Sequence, residues 1–145
     1  SLGILANNTV IYDKLPYDAD TDFVPIARLF FLTEGLFVNA DLPAKTVAEL
    51  RALAQGKPDG LNFATLGNGS FPDLFRVWLN NQWGTKIVGV PYKGGGPAAQ
   101  ALAAGEVQMT RFGVGNFRGL MDAGKVRALA ITSEKRSPML PQVWV

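Results

Sequence analysis

Apolar positions along this chain follow two patterns that take turns. Residues 61–66, 87–90, 107–111 and 126–132 are short apolar runs, which predict buried strands. Between them, apolar residues recur every three or four positions. Val47, Leu50, Leu53 and Ala54 do so over 46–55, and Phe71, Leu74, Phe75 and Trp78 do so over 70–82. These spacings predict two amphipathic helices, with Trp78, Trp83 and the Phe stripe packed in the core or at its edge. Thr46 and Glu49 form a capping box, and Gly56, Pro58 and Gly60 end that helix. Ser70 and Asp73 offer a second box, with Pro72 in the first turn, where its missing N–H costs nothing. Pro97 opens a helix that Gly105 stops, and Asn116 reads as the N-cap of a helix reaching Ala123. Residues 23–32, broken by Pro25 and Arg28, and 35–39 read as two strands or one strand bent around 33–35. The first 12 residues carry a weak helical pattern through Leu2, Leu5 and Ile11. The tail, 133–145, holds Pro138 and Pro141 and reads as loop.

The order β-α-β-α-β-α-β-α-β predicts an α/β fold: a Rossmann-like, mostly parallel sheet flanked by helices. In such sheets ligands sit beyond the carboxyl ends of the strands, at helix N-termini. Two glycine-rich turns fall there, GNGSFPD at 67–73 and PYKGGGPA at 91–98. Each follows a predicted strand and opens a helix, which aims free backbone N–H groups at an anion. The expected ligand is an oxygen-rich small molecule, above all a carboxylate. Gly67, Asn68, Gly69 and Ser70 form the first candidate cradle; Tyr92, Lys93, Gly94, Gly95 and Gly96 form the second. In the second, the backbone of 94–96 is a better candidate than the Lys93 side chain. Phe112 and Asn116 follow a strand that ends at the same edge and are weaker candidates. On the residues alone, Ser70 reads first as an N-cap and 92–96 as a tight turn with a solvated Lys93. Arg111 has two readings, a bidentate grip on a carboxylate or a surface salt bridge.

Composition narrows the chemistry. The 145 residues suit one domain or one lobe of something larger, and 48% apolar content supplies a core. Cys and His are both absent, which removes disulfides, thiolate or imidazole metal sites and the Ser-His and Cys-His pairs of nucleophilic catalysis. No paired carboxylates stand out, so composition favours binding over catalysis, and no metal is expected. The net charge of +2, without a Lys/Arg block, gives no footprint for nucleic acid. Gly67-Asn68-Gly69 begins like a dinucleotide fingerprint, but Pro72 stands where it needs Gly; no P-loop exists, and Ser70 lacks a nucleophile elbow. No run approaches the roughly 18 uninterrupted apolar residues of a membrane span, and no signal peptide is read at the start.

PYKGGGPAAQALAAGEVQM, followed by AGKVRALAITSEKRSPMLPQV, resembles the Bug family, the receptors of tripartite tricarboxylate transporters. LPYDADTDFVPIARL and PAKTVAELRALAQGKPDGLNFATLGNGS support the likeness, which covers nearly the whole chain in order. The resemblance implies a two-lobed periplasmic binding protein that closes on a small carboxylate and delivers it to a membrane permease, without catalysis or cofactor. It favours the cradle reading of 67–70. It covers the second lobe and the crossover strands, and nothing here resembles the first lobe. The implied division is an inter-lobe segment at 1–22, a ligand-binding lobe at 23–132 and a crossover tail at 133–145. Gln108 replaces a common Asp, and Arg111 lies in a segment less apolar than usual; both bear on ligand preference. The alternative is a single-lobe homodimeric interaction module, in which two copies pair the surfaces left uncovered. A ligand-sensing domain of a regulator shares the fold class but lacks a DNA-binding segment here.

Overall fold

The computed structural model describes residues 3–27, 29–30, 32–57, 60–137 and 140–143; the readings made for Leu2, Arg28, Pro58, Pro138, Trp144 and Val145 lie outside them. A π-helical turn (Gly3–Asn7) leads into α1 (Asn8–Ile11). Then follow β1 (Glu34–Asn39), α2 (Val47–Gln55), β2 (Asn62–Thr65), α3 (Phe71–Trp83), β3 (Val88–Pro91), α4 (Gly95–Ala104), β4 (Met109–Gly113), a 3₁₀ turn (Val114–Asn116), α5 (Arg118–Asp122) and β5 (Val126–Ile131).

The strands form one sheet in the order β3-β2-β4-β1-β5. β2 pairs in parallel with β3 and β4, whereas β1 lies antiparallel between β4 and β5. Four strands therefore share one direction and only β1 opposes them, so the sheet is mostly parallel as expected. The helices cover both faces. Alternation along each strand sends Phe37, Ala64 and Phe112 toward α4 and α5, and Leu36, Val38, Phe63 and Met109 toward α2 and α3. The tail has no helix or strand among its described residues, yet Leu140 and Val143 are buried in the α4–α5 core.

Caps explain most boundaries. Glu49 N–H donates to Thr46 Oγ1, and Lys45 N–H donates to Glu49 Oε2, one residue earlier than in the usual reciprocal box. Gly84 and Gly105 stop α3 and α4 in left-handed conformations that their missing Cβ makes easy.

Three expectations are corrected. The described residues of 23–32 form no strand, and Val24 and Ile26 are 85% and 97% exposed. Phe71, Leu74 and Trp78 form the open face of α3, with Trp78 52% exposed, whereas Trp83 is buried and Phe75 packs against the core as expected, beside Leu79. Asn116 does not cap α5. It ends the 3₁₀ turn, its Nδ2 donates to Gly113 O, and Phe117 occupies the cap position.

Candidate carboxylate site

The parallel pairing of β2, β3 and β4 brings three strand ends to one edge of the sheet. Thr65 lies opposite Pro91, so the turns at 66–70 and 92–94 leave the sheet side by side and enter α3 and α4. The third connection, Val114–Asn116, leaves β4 next to them. The Asn116 amide group lies 3.0–3.2 Å from where a side chain on Gly95 would begin, so it sits against the first turn of α4.

The first turn is held from within. Gly67 and Gly69 take positive φ values of 103° and 74°. Ser70 holds the N-cap position of α3, but its side chain does not cap: its hydroxyl donates to Gly67 O at 2.6 Å and accepts from Leu66 N–H at 3.2 Å. Gly69 N–H donates to the buried Asp73 carboxylate, which also pairs with Arg76 at 2.8 Å. Arg76 in turn donates to Ile87 O, fastening the assembly to the start of β3. The expected box is thus replaced by a lattice that stiffens the turn. Among the described residues, the N–H groups of Asn68, Phe71 and Asp73 have no acceptor, and Asn68 itself is exposed. Ile11 of α1 lies over Gly69, where a methyl group would come within 2.7 Å of its Cδ1.

The second turn is more open. Gly94 is extended and caps α4 through its carbonyl, which accepts from Ala98 N–H. Nothing lies within 4 Å of the position a side chain would take at Gly96, and Lys93 is exposed. Tyr92 begins the turn with its backbone, but its ring packs against the α4–α5 core. Partial burial raises the pKa of its hydroxyl, and the carboxylate of Glu106 adds to the effect. Phe112 is buried in the same core, 6.5 Å from the Phe117 ring. The structure therefore brings together the backbones of 67–70 and 94–96 with Asn116, while the Tyr92 and Phe112 side chains serve packing.

Gln108 lies at the far end of β4. Its Oε1 accepts from Asn62 N–H and its Nε2 donates to Gly105 O, which ties β2 to the end of α4. Arg111 lies on the α3 face at the site's edge. It forms the salt bridge of the second reading, with Glu34 at 2.8 Å, but its side chain is only 12% exposed, so the bridge is largely buried and not on the surface. Its guanidinium lies 4.2 Å from the Phe71 ring centre and 4.9 Å from that of Phe75. Burial pushes the Arg111 pKa down, and Glu34 pushes it back up.

Two open hollows lie away from the turns. One of about 560 Å³ borders the acidic loop at 18–20, and one of about 400 Å³ lies between α5, β5 and the tail. No cluster of potential metal ligands occurs among the described residues, and no helix there is long and apolar enough to cross a membrane.

The family model described as the tripartite tricarboxylate transporter family receptor matches residues 3–145. The chain belongs to this receptor family. A UPF0065 protein of Pseudomonas sp. strain P51 is 36% identical over 97% of this chain and 44% of its own length. BugT of Bordetella pertussis is 30% identical over 96% of this chain and 43% of its own. Among solved structures, MatC of Rhodopseudomonas palustris with bound malate superposes with a TM-score of 0.86 at 32% identity, over 99% of this chain and 49% of that one. A second R. palustris protein, solved with adipate, gives 0.86 at 33% identity over 99% and 48%. The chain thus spans about half the length of the receptor-family members it matches. These relatives are solute-binding receptors rather than enzymes.

Proposed function

We propose that this chain forms one wall of a small-carboxylate site, within a solute receptor that serves a tripartite tricarboxylate transporter from the periplasm. The observation that carries the reading is the convergence of two glycine-rich turns on neighbouring parallel strands, each opening a helix. Helix N-termini favour anions through unpaired N–H groups and the macrodipole. The pre-formed lattice around Ser70 and Asp73 keeps those groups in place before any ligand arrives, which lowers the ordering cost of binding. That MatC and its R. palustris relative were solved with malate and adipate supports a dicarboxylate as ligand. In this reading the receptor delivers its ligand to a membrane permease.

Isothermal titration with malate, adipate, citrate, aspartate and monocarboxylates tests the site. Saturable heat with a carboxylate is expected, and Gly96→Leu should abolish it, because that side chain grows into open space at the turn without a clash. Undiminished binding by Gly96→Leu would place the ligand elsewhere.

The exposed side chains of Val24, Ile26, Leu29 and Phe30 favour a second reading, a homodimeric interaction module without a transport role. Apolar side chains left in water gain by being covered, and a second copy would cover them.

A further inference from the structure

We propose that Arg111 is a second carboxylate anchor of this site, held in reserve by Glu34. The proposal rests on reading the 67–70 turn as a carboxylate cradle. Arg111 follows Thr110, the β4 partner of Ala64, and so lies level with the end of β2, beneath the turn. Its guanidinium stacks on Phe71, the first residue of α3. A cation under a helix N-terminus opposes the macrodipole, so the position disfavours the helix unless an anion balances it.

Glu34 supplies that anion incompletely. It meets Nη2 at 2.8 Å, whereas the buried Nε–H has no acceptor. A guanidinium is built to hold a carboxylate side-on through two parallel N–H donors. A ligand carboxylate arriving at Arg111 can satisfy both Nη2 and Nε, which Glu34 does not. Glu34 is the first residue of β1 and its side chain is 24% exposed, so it can swing into water and be replaced from that side. A ligand with two carboxylates would then place one on the N–H groups of the turn and the other on Arg111. Glu34 acts as a competitor that keeps the buried cation balanced in the empty receptor and must be displaced by the second carboxylate, so it weakens the binding of a dianion and leaves a ligand with one charge unaffected.

Titration with succinate and with its monomethyl ester, which carries one charge fewer, tests this. Glu34→Gln should tighten succinate about tenfold and the ester less than about twofold, as expected for freeing one charge-assisted pair. The charge-balanced Glu34→Gln/Arg111→Met double variant should bind the two equally. If Glu34→Gln proves too unstable to titrate, the Arg111 Nε resonance of the unaltered chain gives the answer. It should shift on adding succinate and stay put with the ester. A succinate-to-ester ratio unchanged by Glu34→Gln, or an Nε resonance indifferent to succinate, would overturn the role of Arg111 while leaving the turn intact. No saturable binding of either probe would remove the carboxylate reading of the turn, and this proposal with it.

Discussion

Asp73 of α3 does the most at the residue scale, and it does so beside a glycine of β3. A methyl group at Gly89 would lie 2.9 Å from Arg76 Nε and 3.2 Å from Asp73 Oδ1, so the Asp73–Arg76 pair needs the bare backbone of β3 beside it. Gly89→Ala should push the pair apart, free Gly69 N–H and cost about 1–3 kcal/mol in denaturant unfolding. A loss below about 0.5 kcal/mol, typical of a neutral surface change, would mean that the pair simply slides. Tyr92 gives a pH prediction. Its hydroxyl pKa is raised in the folded state, so folding favours the neutral phenol. That contribution is full below the unfolded value near 10.0 and is lost as pH rises through the folded one. Stability should therefore fall more steeply above pH 10 in the unaltered chain than in Tyr92→Phe, as read by thermal melts across pH. The glycines of the turns were legible in the sequence because strand, Gly-rich turn and helix follow one another without a gap. The partners of Ser70 and Asp73 were not, because both residues can cap a helix or brace a turn and only the neighbouring strand decides.

At the scale of elements, the stiffness of the α3 entrance separates a built site from an ordinary helix start. Ser70→Ala removes two hydrogen bonds inside the turn but leaves Asp73 on Gly69 N–H. Asp73→Ala removes that acceptor and strands Arg76 beside β3. The second change should be the more damaging, by about 1–3 kcal/mol against about 0.5–1.5 for the first, because a buried charge then loses its partner. Hydrogen exchange at Gly69 and Leu74 would rank them; equal protection in both variants would mean that the turn is held by its glycine geometry alone. The element order was readable from the switch between apolar runs and helical repeats. The direction of β1 was not, since an antiparallel strand flanked on both sides carries the same apolar run as a parallel one. The outward face of α3 was misread for a related reason. Its Phe and Trp repeat has the period of a core face, yet Phe71, Leu74 and Trp78 face outward while Phe75 and Trp83 pack inward. A period shows that a face exists, not what covers it.

For the whole molecule, the uncovered surface matters most. Val24, Ile26 and Leu29 are each at least 85% exposed, Phe30 is 74% exposed, and Trp78 adds an aromatic face on α3. Surface of this kind contributes roughly 25 cal/mol per Å² when removed from water, so several such side chains together can drive association even after its entropic cost. Sedimentation equilibrium from micromolar to millimolar chain should therefore show a mass that rises with concentration. Ile26→Lys combined with Phe30→Lys should hold the mass at that of a monomer and leave the melting temperature of the lobe unchanged, because neither side chain reaches the core. A chain that stays monomeric throughout would count against the homodimeric reading and leave the receptor reading standing. A mass that rises as before in the Lys variant would instead assign self-association to the α3 face, where Trp78→Lys becomes the deciding change.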